Sequence, residues 1–334
     1  MTSQLLAPCP FLAGPMIEKP QHFVGREAEL DYITSRIMGM ESSSINVVGK
    51  QGMGKSSLLY RFCQTYEQRV ENPRRFIVIY LNLQQCHCQR ENGFYLAAAR
   101  QLLNHPLVKA KPELIRPWKN IKSLDRQSFS GAIGEWKRQG LFPVLCLDEF
   151  EALFRYPKHF NDGFFDNLRF LMNSNVLRLV VASHRKLDFY QRRYKLTSSF
   201  FNGFEQVLPL RELTQEEAWE LVSLPERMGA KAALSTEQQS LAREWGGGHP
   251  FLLQLAASLL WEAQQQGLDV SWAQAKFEQV ARRIPKPLWK IPRYLDEFVR
   301  NYGGVVMVIL LILFGVGVLH QTQVFNSLQK VLAR

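Results

Sequence analysis

The chain has 334 residues, 46% hydrophobic and 21% charged, which excludes a disordered chain and leaves room for a large core and about two soluble domains. Its net charge of +11, from 41 basic and 30 acidic residues, suits an anionic partner: a nucleotide, a nucleic acid or a lipid surface. The five cysteines (Cys9, Cys63, Cys86, Cys88, Cys146) are odd in number and follow no framework spacing. That argues against a disulfide scaffold and for reduced thiols. Cys86-His87-Cys88 has no second ligand pair at zinc spacing after it, so it reads as incidental thiols at a strand end.

In chain order, residues 1–20 hold Pro8, Pro10, Pro15 and Pro20 and read as an irregular arm. Phe23-Val24-Gly25-Arg26-Glu27 follows, then Leu30, Ile33 and Ile37 at helical spacing. Ser44–Val48 is a short β-prone run that leads into GKQGMGKS (49–56), a full phosphate-binding loop. Gly49, Gly52 and Gly54 let the backbone curl so that its N–H groups, including that of Met53, point at a phosphate. Lys55 reaches the β- and γ-phosphates and the Ser56 hydroxyl ligates Mg²⁺. A helix opens after the loop at Ser57, and its N-terminus favours an anion. The implied cofactors are ATP or ADP and Mg²⁺.

Residues 75–83 (RFIVIYLNL) read as a buried parallel strand. Residues 94–103 and 129–138 read as helices, and the Lys-, Arg- and Pro-rich stretch 104–127 between them as an exposed insertion. A third strand, 142–149, ends in Asp148 and Glu149. Asp148 is placed to hold Mg²⁺ through water, and Glu149 to orient an attacking water as a base. A fourth strand covers 178–186, with Arg185 just beyond its core as a γ-phosphate contact. Alternating strands and helices imply an α/β fold with a doubly wound parallel sheet, its ligand at the strand carboxyl ends. Beyond Leu210 the pattern is helical: a capping box at Thr214–Glu217, then helices near 235–245, 249–266 and 271–282. GGGHP (246–250) opens the second of these, with Pro250 as a flat apolar face for adenine.

The basic, Pro-rich stretch RRIPKPLWKIPR (282–293), with Trp289 and Tyr294, is consistent with anionic headgroups. Residues 303–319 (GGVVMVILLILFGVGVL) are apolar on every face and span about 25 Å as a helix, enough to cross a bilayer. Arg282, Arg283, Lys286, Lys290, Arg293 and Arg300 precede this run and only Lys330 and Arg334 follow it. The expectation is a single-pass membrane protein with its nucleotide site in the cytoplasm. Gly303, Gly304, Gly315 and Gly317 would let such helices approach closely. The tail puts Val324, Phe325, Leu328, Val331 and Leu332 on one helical face.

The motifs FVGRE, GKQGMGKS, LCLDEF (145–150), Ser183-His184-Arg185 and Gly248-His249-Pro250, in that order, resemble the STAND branch of the AAA+ P-loop ATPases over residues 20–270. The resemblance implies a P-loop sheet flanked by helices with a small helical lid. It also implies that Val24, Gly25 and Arg26 cradle base and ribose, that Arg185 senses the γ-phosphate, and that Pro250 meets the adenine. The expected domains are an arm (1–20), a nucleotide-binding domain (21–205), a lid (206–283), a linker (284–301), a transmembrane helix (302–320) and a tail (321–334). The chain departs from the STAND pattern in having no winged helix, repeat sensor or effector signature after the lid.

The reading is a membrane-anchored, Mg²⁺-dependent ATPase switch that forms a homo-oligomer in its ATP state and acts on an unidentified protein partner, in bacterial signalling or defence. Two alternatives stay open. One is an AAA+ regulator that handles nucleic acid, motivated by Arg116/Lys119/Lys122/Arg126 and Arg185/Lys186/Arg192/Arg193/Lys195 but lacking any DNA-binding signature. The other is an adaptor that binds ATP with little turnover.

Overall fold

The computed structural model describes residues 9–39, 43–118, 124–227 and 232–284. Helix α1 (Glu27–Met38) precedes strand β1 (Ile45–Val48), and α2 (Lys55–Thr65) follows the phosphate loop. Strand β2 (Phe76–Asn82) leads to α3 (Glu91–Asn104), the short α4 (Pro106–Lys109) and α5 (Pro112–Ile115), and α6 (Arg126–Arg138). Then come β3 (Phe142–Asp148), α7 (Asp162–Asn173), β4 (Arg178–Ser183), α8 (Leu187–Tyr194) and β5 (Gln206–Pro209).

The five strands form one parallel sheet in the order β2-β3-β4-β1-β5. Side chains alternate across it, as the period of two demands. Ile77, Ile79, Leu145, Leu147, Leu179 and Val181 pack with the aromatic residues of α3, α6 and α7. Val78, Val144, Cys146, Val180 and Ala182 pack with Leu30 and Ile33 of α1 and Leu58 and Phe62 of α2 on the other face. Helices thus cover both faces, which parallel sheets require.

Pairing of Val48 with Ser183 and of Asn82 with Asp148 brings the strand ends level, so the phosphate loop and the two acids share one edge.

The lid holds α9 (Gln215–Val222), α10 (Leu224–Arg227), α11 (Thr236–Gly246), α12 (Pro250–Gln266) and α13 (Val270–Ala281). Its core is Leu221, Ala242, Leu253, Ala256, Leu260 and Phe277, and Phe11 of the arm is buried in the same cluster. The expected box at Thr214 is present: Thr214 Oγ1 accepts from Glu217 N at 3.2 Å, and the Glu217 carboxylate accepts from Thr214 N at 2.7 Å.

Three expectations are corrected. The stretch 104–127 is not an exposed insertion, because Val108, Leu114 and Trp118 are buried in the main core. The sheet takes in a fifth strand at 206–209, which the sequence assigns to the lid. The fourth strand ends at Ser183 rather than running to 186. The basic Pro-rich linker beyond Ile284, the apolar run 302–320 and the tail lie outside the described residues, as do Lys119 and Lys122. Among the described residues no helix is long and apolar enough to cross a membrane.

Candidate functional site

The phosphate loop turns on two left-handed glycines, Gly52 (φ 79°) and Gly54 (φ 85°), conformations that L side chains resist. Gly49 N donates to Ser183 O at 3.2 Å, which ties the start of the loop to the end of β4. Lys55 is buried, and its Nζ donates to Gly49 O at 2.8 Å and Lys50 O at 3.3 Å. The ammonium therefore sits inside the loop it is expected to share with a phosphate. Burial pulls its pKa down, and the charges of Glu149 and Asp148 oppose that shift.

Asp148 closes β3 and is fully buried. Its Oδ2 accepts from Tyr80 Oη at 2.7 Å, whereas its Oδ1 is buried without a protein partner. Burial, and then the Asp148 charge, raise the Tyr80 pKa, so the phenol stays a donor. Glu149 follows in a left-handed conformation (φ 54°), uncommon for a non-glycine residue and a form of strain that clusters at functional sites. Gln84 Nε2 donates to Glu149 Oε2 at 3.0 Å. Burial, followed by the Asp148 charge, raises the Glu149 pKa, which makes its carboxylate a stronger base.

At the end of β4 the chain turns sharply. Ser183 Oγ donates to Arg185 O at 2.7 Å and accepts from Asn46 Nδ2 at 2.8 Å. The turn points His184 into the cleft and carries Arg185 out of it. Arg185 is exposed, with its guanidinium 4.7 Å from the Phe189 ring centroid. His184 is paired through Nδ1 with Glu151, and burial, then the Lys55 charge, lower its pKa.

The GRE motif acts through a network of ion pairs. Arg26 is buried, pairs with Glu29 at 2.8 Å and donates to Met53 O at 3.3 Å, bracing the phosphate loop. Arg26 N donates to Glu217 Oε1 at 3.1 Å, and Arg211 clasps the Glu217 carboxylate at 2.5 and 2.9 Å. That clasp is the largest cause of Glu217's pKa being held down to about 2. Gly25 (φ 66°) has a backbone conformation that L side chains rarely adopt, and a Cβ there would lie 2.5 Å from the Glu217 carboxylate that Arg211 clasps.

A cavity of about 300 Å³ opens between these groups, at the lower end of the roughly 300–1,000 Å³ usual for ligand pockets. Of the sequence-predicted residues, Val24, Arg26, Gly52, Met53, Gly54, Lys55, Ser56, Ser57, Glu149 and Pro250 line it. Gly25, Gly49 and Asp148 do not line it; Gly25 lies between Val24 and Arg26, Asp148 precedes Glu149, and Gly49 O accepts from Lys55 Nζ. Arg185 is the prediction that the geometry does not bring to the cavity; His184 lines it instead. Sequence reasoning also missed Phe251 and Gln254 of α12 and the arm residues Leu12 and Gly14–Ile17. Leu12 N donates to Gln254 Oε1 at 2.9 Å and Ile17 N to Ser57 Oγ at 3.0 Å, so the arm bridges lid and phosphate-loop helix. The lid also meets the loop directly. Phe251 N donates to Gly52 O at 3.3 Å, and a Cβ on Gly52 would come within 2.8 Å of both His249 and Phe251.

The residues fit Mg²⁺. The orphaned Asp148 Oδ1 is an acceptor awaiting a metal-bound water, and Ser56 lines the cavity beside Lys55.

Among solved structures the chain is similar to the Walker-type ATPase paby2304 of Pyrococcus abyssi, with a TM-score of 0.57, 15% identity, and coverage of 86% of this chain and 79% of that one. It is also similar to the ORC2 protein of Aeropyrum pernix, in its ADPNP–ADP complexes, with a TM-score of 0.56, 15% identity, and coverage of 80% and 70%. The ORC1 protein of Aeropyrum pernix, in complex with DNA, matches with a TM-score of 0.51, 18% identity, and coverage of 80% and 70%. At these identities the likeness concerns the fold. No curated protein matches the chain in sequence. The model of the Novel STAND NTPase 1 family matches residues 16–282, from the arm to the last lid helix. The chain therefore belongs to the Novel STAND NTPase 1 family, and it is an ATPase of the P-loop class.

Proposed function

We propose that the protein is an ATP-driven switch whose lid reads the state of the phosphate loop. The observation that carries this reading is the direct seam between the two, where Phe251 N meets Gly52 O at 3.3 Å and no side chain fits between. A loop that reshapes around a γ-phosphate would move the start of α12, and with it the lid.

ATP would lie with its phosphates on Gly52–Ser57 and its base toward Val24, Leu221 and Pro250. Lys55 would balance phosphate charge, and Ser56 and Asp148 would hold Mg²⁺, which when bound neutralises charge on the β- and γ-oxygens. Glu149 would take a proton from the attacking water, with Gln84 orienting its carboxylate. His184 would face the γ-phosphate in the role that the family resemblance gave to Arg185.

The apolar run 303–319 and its basic flank support a single-pass anchor with the ATPase on the cytoplasmic side. Assembly in the ATP state would cluster such anchors and engage a protein partner. A second reading, DNA handling, draws on the exposed Arg185, Lys186, Arg192, Arg193 and Lys195 around α8. It requires binding that weakens steeply with salt.

The test compares ATP affinity and oligomer size for the wild type and Lys55→Ala. The variant is expected to bind ATP at least about tenfold more weakly and to stay small, and unchanged affinity would remove Lys55 from the site. In vesicle flotation the full chain is expected to float, and a chain ending at Ile284 is not.

A further inference from the structure

Three potential metal ligands meet beside the residues assigned to Mg²⁺. Glu149, Glu151 and His184 each offer one ligand atom, and these atoms lie within 4.8 Å of one another. Among the described residues, no other three His, Cys, Asp or Glu side chains come together in this way. Backbone geometry creates the group. Glu149 leaves β3 in a left-handed conformation, Glu151 lies in the 3₁₀ turn that follows, and His184 leaves the adjacent strand β4. Glu151 is held doubly to His184, because one carboxylate oxygen meets the ring Nδ1 and also accepts the His184 backbone N–H at 3.3 Å.

That arrangement leaves acceptors unused. Glu151 Oε2 is buried without a partner, and so is Oδ1 of the fully buried Asp148, whose charge acts on both Glu149 and His184. Two carboxylates and an imidazole thus come together at the edge of the cavity, which Glu149 and His184 line. An imidazole with two carboxylates is the donor set of zinc and related divalent transition ions, whereas Mg²⁺ prefers oxygen alone. Because Glu149 and His184 line the cavity, a water or a phosphate oxygen would serve as the remaining ligand.

We propose that Glu149, Glu151 and His184 form a binding site for a divalent transition ion of the zinc class, separate from the Mg²⁺ position at Ser56 and Asp148, and that filling it arrests hydrolysis. The ion takes the lone pair that Glu149 needs for the attacking water and leaves the phosphate loop and base pocket free. The arrest rests on Glu149 being the base, as proposed above; the binding does not.

Co²⁺ serves as the probe, titrated into the metal-free full-length protein without nucleotide. One equivalent is expected to give ligand-field bands of low coordination number with no thiolate charge-transfer band. Glu151→Gln and His184→Ala are each expected to weaken Co²⁺ binding by about tenfold or more. Zn²⁺ is expected to bleach the bands and, in excess Mg²⁺, to lower ATP turnover while ATP affinity holds. Absent binding, or a thiolate band that Cys86→Ser/Cys88→Ser removes while His184→Ala leaves it intact, overturns the site. Co²⁺ binding at these residues with turnover indifferent to saturating Zn²⁺ upholds the site and overturns the arrest. Wild-type Co²⁺ binding as described, together with undiminished ATP turnover by Glu149→Gln, upholds the site and refutes the base assignment alone.

Discussion

Glu149 combines a left-handed backbone, a carboxylate oriented by Gln84 and a pKa raised by burial and by its neighbour Asp148. Glu149→Gln is expected to retain ATP affinity and to lose turnover by about 10²-fold or more, measured by single-turnover hydrolysis. The raised pKa sets the direction of the pH dependence. The base works deprotonated, so turnover should fall as pH drops through a value above the usual glutamate range, while ATP binding is unmoved. A wild-type profile that stays flat down to the ordinary glutamate value would contradict this assignment.

At the same scale, sequence reasoning chose Arg185 where the structure puts His184. The two are neighbours, and the motif leaves their choice to the turn that Ser183 makes. At both β3 and β4 the first residue after the strand, Glu149 and His184, lines the cavity. Locating the end of β4 requires the ladder between β4 and β1, which composition does not reveal.

Among the elements, the phosphate loop and its lid share one tight contact. Gly52→Ala and Gly54→Ala separate its two components. Both place a methyl group on a left-handed backbone, at about 1–2 kcal/mol. Only Gly52→Ala also drives that methyl into His249 and Phe251, adding about 1–3 kcal/mol. Nothing lies within 4 Å of the corresponding position at Gly54. Urea unfolding without nucleotide should therefore rank Gly52→Ala clearly below Gly54→Ala; equal losses would mean that the seam is not tight.

The elements legible in the sequence were those with apolar runs, helical spacing or complete motifs: β1, β2, β3, β4, the phosphate loop, α1, α2, α3, α6, α9, α11, α12 and α13. Strand β5 was not, because its four residues include Pro209, are only partly buried and sit at the sheet edge. In 104–127 the few apolar residues stand apart among Lys, Arg and Pro, so the burial of Val108, Leu114 and Trp118 appears only once α3 and α6 are in position.

For the whole molecule, Glu217 is the point where the GRE motif, the segment after β5 and the lid meet. It caps α9, accepts from Arg26 N and is clasped by Arg211. Its pKa falls from 4.5 to about 2 on folding. The contribution to stability is therefore complete above the unfolded value of 4.5 and is lost as pH falls toward 2. Glu217→Gln should be less stable than the wild type at neutral pH and should lose less stability across that acid window. Parallel pH–stability curves for the two proteins would show that the clasp contributes nothing.

The arm also limits motion mechanically. Phe11 is rooted in the lid, and Ile17 is hydrogen-bonded to the phosphate-loop helix. The chain between them is a leash. Fully stretched, a handful of residues at about 3.3–3.6 Å each pays out to roughly 20 Å. Any opening stroke is thereby bounded, and a lid that swings farther must first uproot Phe11 or break the Ile17–Ser57 bond. Lengthening this leash with a short glycine insertion would widen the stroke without touching a residue of the phosphate loop.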